Sequence, residues 1–266
     1  MEAVTSRPAA GGARGHGGHS KSQAEAGAGS LAEGIAMLAL GRHAEAIGPL
    51  MGAIELDPSS AEAHRLMGSA LFGLGRYGRA LRSFDLAIAR DSLSAGAHLG
   101  RACALVMIGM PSRALEAFGR ASDLDPGNVG AHLGRGRLLL NRNRPTEALE
   151  AFGRASDLDP GSAGAHLGIG LALGRLGRDS EALGALRRAA ELDPRSYEAR
   201  LGIGLALGRQ GCVAESIDSL DRAAAMAPGA PAARIARGFA LRAAGRAAAV
   251  PIEVPVTLDA TRGIPV

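Results

Sequence analysis

Residues 114–134 read ALEAFGRASDLDPGNVGAHLG, and residues 148–168 read ALEAFGRASDLDPGSAGAHLG. The two stretches differ at two positions and begin 34 residues apart. Working outward, the Asp-Pro pair or its remnant recurs at the same step: Asp57-Pro58, Asp91-Ser92, Asp125-Pro126, Asp159-Pro160, Asp193-Pro194 and Ala227-Pro228. A fixed period of this size marks a stack of like supersecondary units, each needing neighbours to bury its apolar face. Six units tile the chain as 27–60, 61–94, 95–128, 129–162, 163–196 and 197–230, and a seventh opens at Pro231.

Each unit reads as two helices. Two residues after the proline slot stand Ser60, Ser94, Asn128, Ser162 and Ser196, then Ala230. Ser and Asn suit an N-cap, because the side-chain oxygen accepts one of the unpaired N–H groups that open a helix. The first helix then runs to Gly75, Gly109, Asn143, Gly177, Gly211 or Gly245, residue types that tolerate the left-handed turn ending a helix. Pro111 and Pro145 follow, at positions where a helix start loses nothing by their missing N–H. In the second helix Ala114, Phe118, Ala121 and Leu124 form one stripe at helical spacing, repeated by Ala148, Phe152, Ala155 and Leu158. A small residue of the first helix (Gly68, Ala102, Gly136, Gly170, Gly204) faces a small residue of the second (Ala80, Ala114, Ala148, Ala182, Ser216), so the two helices can cross closely.

This pattern resembles the tetratricopeptide repeat (TPR) family in its 34-residue period, its small crossing residues, its Phe or Leu in the second helix and its terminal Pro. The resemblance implies an all-α fold: a right-handed α-solenoid of six helix-turn-helix units plus a C-terminal capping helix over residues 231–249. Where the family usually has Trp, this chain has His64, His98, His132, His166, Arg200 and Arg234; where Leu is usual, it has Glu33, Arg101, Arg135 and Arg237. Residues 1–26 read as a Gly/Ala/Ser-rich disordered arm, with Ser22-Gln-Ala-Glu25 as a capping box that starts the first helix early. Residues 250–266, broken by Pro251, Pro255 and Pro265, read as an extended tail.

Composition excludes several classes. The 266 residues are 47% apolar but 3% aromatic, with no Trp, so large aromatic anchors cannot build the core. The net charge of +4 comes from Arg interleaved with Asp and Glu, with Lys21 the one lysine; this is not the basic stripe with stacking aromatics of a nucleic-acid binder. Two cysteines, Cys103 and Cys212, make no disulfide framework and point to a reduced compartment. The N-terminal stretch has no apolar signal core, and the longest apolar run, residues 102–110, falls well short of the roughly 20 residues of a membrane span. The expectation is a soluble cytoplasmic chain that does not engage a membrane. The glycines of residues 168–174 and 202–208 lie inside helices rather than between strand and helix, so they are not a dinucleotide loop. Asp123-Leu-Asp125 lacks the Glu that a calcium loop requires, Gly134 standing in that place. His64, His98, His132 and His166 occupy successive units, too far apart for ring nitrogens that must each lie about 2.0–2.1 Å from one zinc; they read as packing residues. There is no HExxH, GxSxG or Walker lysine, and no catalytic residue or cofactor is expected.

What remains is a surface. One position beyond the crossing stripe, the first helices carry Leu99, Cys103 and Val106, then Leu133, Arg137 and Leu140, then Leu167 and Leu171, then Leu201 and Leu205, with Arg175 and Arg209 alongside. In TPR solenoids this face lines the concave groove, and the resemblance implies a non-catalytic interaction scaffold there, for a partner peptide or helix that is apolar with acidic residues. Some family members clamp C-terminal carboxylates with Lys and Asn; the corresponding slots here hold Leu31, Ile35, Leu66, Gly96 and Gly100 or, one unit on, Arg65, Ser69, Gly100, Gly130 and Gly134, so the acidic tails of chaperones are not expected as ligands. The alternative is the accessory TPR region of a larger enzyme, such as a TPR-bearing glycosyltransferase. Finally, Gly96, Gly100, Gly130, Gly134, Gly164, Gly168 and Gly202 lie off the crossing stripe and are expected to soften the first helices, at about 0.5–1 kcal/mol each relative to Ala.

Overall fold

The residues expected to open helices do so. In the structure, a computed structural model describing residues 16–245 and the side chains of residues 23–241, Ser60, Ser94, Asn128, Ser162 and Ser196 adopt extended backbone. Each side-chain oxygen accepts the N–H of Ala63, Ala97, Ala131, Ala165 or Ala199 at 2.9–3.4 Å. The expected helix breaks at Gly75, Gly109, Gly177 and Gly211 hold with φ of 71–81°, Asn143 stands in for glycine at 56°, and Gly41, not singled out in the sequence, does the same at 69°.

Among the described residues these signals delimit thirteen helices and no strand, in two compact units. The first, Met1–Asp91, holds α1 (His16–Ala39), α2 (His43–Leu56), α3 (Ala61–Gly73) and α4 (Tyr77–Arg90). The second, Ser92–Val266, holds α5 (Ala95–Met107), α6 (Pro111–Leu124), α7 (Val129–Asn141), α8 (Pro145–Leu158), α9 (Ala163–Arg175), α10 (Asp179–Leu192), α11 (Tyr197–Arg209), α12 (Val213–Met226) and α13 (Pro231–Gly245). Six antiparallel pairs are followed by a single helix. Within each unit every helix packs on the next, as α5 on α6, α6 on α7 and α7 on α8.

The small crossing residues let the second helices in. A Cβ added at Gly34, Gly68, Gly136, Gly170 or Gly204 would lie 2.5–2.8 Å from Leu50, Phe84, Phe152, Leu186 or Leu220 respectively. Ala182 and Ser216 meet the crossing from the other side through their carbonyl oxygens, 3.2 and 3.3 Å from those added atoms. Ser216 also donates its hydroxyl to the Gly204 carbonyl at 2.6 Å, which satisfies a polar side chain that is otherwise buried.

Two expectations need correction. Gly134 and Gly168 are not idle helix softeners, because a methyl group at either would strike the ring of Phe118 or Phe152 on the preceding second helix. Phe152 thus lies between Gly136 of its own repeat and Gly168 of the next, and Leu186 lies likewise between Gly170 and Gly202. Phe84, Phe118 and Phe152 are among the largest fully buried side chains, so aromatic anchors do enter the core despite the low aromatic content, and each contributes about 1.5–3 kcal/mol. Gly164, by contrast, faces open space as expected.

The second correction concerns the N-terminal arm. Helix α1 begins at His16, so residues 16–26 are helical rather than part of an arm over 1–26. The capping box at Ser22 therefore lies inside α1 and does not start it; past the box, Gly27 rests on the Leu56 side chain of α2, 3.4 Å from the place of its missing Cβ. Residues 1–15, and the tail expected at 250–266, lie outside the described residues. The capping helix expected over 231–249 is described as Pro231–Gly245.

The histidines occupy the packing slots assigned to them and add a tie. His64, His98 and His132 are buried, and His166 is half-buried. In each, Nε2 donates to the carbonyl six residues earlier, that of Pro58, Ser92, Pro126 or Pro160, at 2.9–3.2 Å. The acceptor can only be the carbonyl, so Nε2 carries the hydrogen. The ring fastens the inter-repeat turn to the helix that follows it. Arg200 makes the same reach to the Pro194 carbonyl at 3.4 Å.

Candidate functional site

The first helices α5, α7, α9 and α11 contact one another in succession, so equivalent positions on them form one row. Leu99, Leu133 and Leu167 stand in that row half-buried. Leu133 and Leu167 rest on the apolar cluster of Leu140, Phe152 and Leu171 and keep part of their surface open. Val106 and Arg137 are half-buried beside them.

Other residues expected on this face are placed elsewhere. Cys103, Leu140 and Leu171 are buried between repeats. Burial pushes the Cys103 thiol up to about 12, against a lowering pull from the nearby Arg137 charge. Leu201 and Leu205 are buried in a cluster with Leu220 and with Ala233, Ala236 and Ala240 of α13. The capping helix expected after the sixth repeat covers that repeat and buries both leucines. The signal was present in the sequence as the small-residue spacing of Ala233, Ala236 and Ala240.

Arg175 and Arg209 reach from one repeat to the one before it. Arg175 donates to the carbonyl of Leu140 at the end of α7, and burial lowers its pKa. Arg209 extends past Gly174, where an added Cβ would lie 3.1 Å from its guanidinium, and bonds Asp179 at 2.7 Å through Nε. These arginines link neighbouring repeats. Of the expected face, Leu99, Val106, Leu133, Arg137 and Leu167 therefore stay partly accessible, as do Arg175 and the exposed Arg209, whose guanidinium groups are held by neighbouring repeats. Among the described residues no helix is long and apolar enough to cross a membrane, and no three His, Cys, Asp or Glu side chains gather as a metal would require.

The family model described as tetratricopeptide repeat matches residues 31–95, 65–129, 99–163, 133–197, 167–231 and 201–249. Among solved structures the chain is similar to YrrB, described as a TPR protein with an unusual peptide-binding site: 24% identity, a TM-score of 0.63, and 74% of this chain on 98% of that one. It is similar to PilF of Pseudomonas aeruginosa at 20% identity and a TM-score of 0.69, covering 79% of this chain and 95% of that one. A tetratricopeptide repeat protein from Parabacteroides merdae aligns at 16% identity and a TM-score of 0.64, covering 82% and 88%. These likenesses show the fold. No curated protein sequence matches the chain.

Proposed function

The chain belongs to the tetratricopeptide repeat family, and from that premise we propose that it is a non-catalytic scaffold holding an extended peptide of a partner protein along the first helices of its second unit. The fold is that of protein-interaction modules. The observation that carries the finer reading is the row of Leu99, Leu133 and Leu167, which stays partly open although inter-repeat packing could have closed it. YrrB, with its peptide-binding site, shares the fold.

The row favours a ligand with apolar side chains spaced to meet successive repeats. Arg137, half-buried between Leu99 and Leu167 in repeat order, favours a carboxylate between them. A partly desolvated Arg–carboxylate pair fixes register through paired N–H···O bonds. Apolar burial supplies most of the affinity, so binding should weaken little with salt.

The test is selection of peptides from a random displayed library on the full chain, followed by affinity measurement of the winners. Sequences alternating apolar and acidic residues should be enriched. Leu133→Asp with Leu167→Asp should weaken their binding at least tenfold while circular dichroism shows an unchanged helical fold. A folded double variant that binds the winners undiminished would place the ligand elsewhere.

A further inference from the structure

Helix α7 sets Gly134 against Phe118 of α6 and Gly136 against Phe152 of α8, so the residue between them points into the cleft between those two second helices. Arg135 takes that place. It is half-buried and makes no hydrogen bond or ion pair among the described residues. Leu133 and Arg137, each two residues away, are turned from it by about 200° at 3.6 residues per turn, so the cleft lies apart from the first-helix row.

The chain itself defines what such an arginine takes. Arg237 holds the same repeat position on α13, and its Nε lies 2.6 Å from the carboxylate of Asp221 on the preceding second helix. Asp221 stands sixteen residues ahead of Arg237, and the sequence sets Asp85 equally far ahead of Arg101. Sixteen residues ahead of Arg135 stands Gly119, where an added Cβ would have nothing within 4 Å. The place of the carboxylate is an open notch. One repeat on, Gly153 leaves the same opening and the half-buried Ile169 replaces the arginine, so the adjoining cleft is apolar.

We propose that the cleft between α6 and α8 docks a partner protein through an Asp or Glu side chain that enters the Gly119 notch and pairs with Arg135, next to an apolar residue that lies on Ile169. Charge complementarity selects this occupant. A guanidinium already half withdrawn from water gains paired, charge-assisted N–H···O bonds from a carboxylate, and a partner covering the cleft lowers the local dielectric and strengthens them. The exposed Glu116 and Asp123 of α6 and Glu150 of α8 disfavour a polyanion but leave room for one carboxylate.

The probes are peptides selected from a random displayed library on the full chain and depleted on Arg135→Gln, so that those retained need the guanidinium. They should carry Asp or Glu beside apolar residues. Their affinity should fall at least tenfold for Gly119→Asp, which fills the notch from within, and should hold in Leu133→Asp with Leu167→Asp. A second measurement needs no ligand. Gly119→Asp should raise the thermal midpoint above that of Gly119→Asn, and the difference should vanish in the Arg135→Gln background, because only a carboxylate facing the guanidinium couples to it. Recovery of no Arg135-dependent peptide, or of peptides indifferent to Gly119→Asp, would overturn the proposal. So would equal midpoints for Asp and Asn at position 119, or loss of the peptides in the double leucine variant, which would put them on the first-helix row. If Glu2→Gln, Glu253→Gln or Asp259→Asn lowered the midpoint and tightened peptide binding, the occupant would be a carboxylate of the chain itself and a partner would be rejected.

Discussion

Glycine content in a helical protein ordinarily reads as softness, and at single residues this chain divides it into two opposite kinds. Gly119, Gly153 and Gly184 on second helices have nothing within 4 Å of an added Cβ. There Ala should stabilise by about 0.5–1 kcal/mol through helix propensity and lost unfolded-state freedom. Gly134 and Gly168 lie against Phe118 and Phe152, and Ala there must displace a buried ring, an overpacking that typically costs about 1–3 kcal/mol. Thermal unfolding should therefore show a raised midpoint for Gly153→Ala and a lowered one for Gly168→Ala; midpoints moving in the same direction would refute the sandwich around Phe152. The crossing glycines were legible in the sequence because the stripe they belong to lies within one repeat. Gly134 and Gly168 were not, because their partner sits on the preceding repeat, and periodicity inside one helix does not reveal which neighbour a face meets. Cys103 shows the same limit: its place beside Leu99 and Val106 suggested the open row, while packing from the adjoining repeat buries it.

At the scale of elements, starts and stops were legible wherever a side chain supplies the signal locally. The N-caps, the left-handed stops and the prolines opening α6 and α8 all stand where the residue types put them. The N-terminal start of α1 was not legible, since the one local capping signal, at Ser22, lies inside the helix rather than at its start. The entry to α3 also carries a titration. Ser59 holds the Asp57 carboxylate through its hydroxyl at 2.6 Å and its N–H at 2.9 Å, and these bonds lower the Asp57 pKa. Glu62, in the first turn of α3, is lowered by the hydrogen bond from Arg65 at 2.8 Å, more than burial raises it. Both folded values lie below the unfolded ones, about 3.9 for Asp and 4.3 for Glu. Each group's contribution is then present above its unfolded value and is lost as pH falls through the folded value. The thermal midpoint should decline on acidification from about pH 5 downward, and Asp57→Asn with Glu62→Gln should flatten that decline. An equally steep acid limb in the double variant would assign it to other carboxylates.

For the whole molecule, the repeat predicts which contacts are interchangeable. Removing residues 115–148 joins Ala114 to Leu149 and restores an unbroken ALEAFGRASDLDPG. The new second helix meets α5 as α6 did, with Phe152 taking the place of Phe118 against Ala102, and meets α9 as α8 did, with Phe152 on Gly168. Even the reach of Arg175 survives in kind, because it takes a backbone carbonyl of the preceding first helix, and that of Val106 occupies the same repeat position as that of Leu140. What changes is first helix against first helix, where Leu167 and Leu171 would face Leu99 and Cys103 in place of Leu133 and Arg137. In a solenoid whose stability is a sum of repeat terms and nearest-neighbour terms, one lost repeat subtracts its own share and leaves the other interfaces intact. The shortened chain should therefore keep its helicity per residue and unfold cooperatively at a lower midpoint. Circular dichroism and calorimetry would check this. A shortened chain that melts without cooperativity would mean that the first-helix row, not the sandwich of second-helix side chains between glycines, sets the order of the array. The same variant lacks Leu133 and Arg137, so it should also lose the displayed-library peptides, whose binding the proposed row requires.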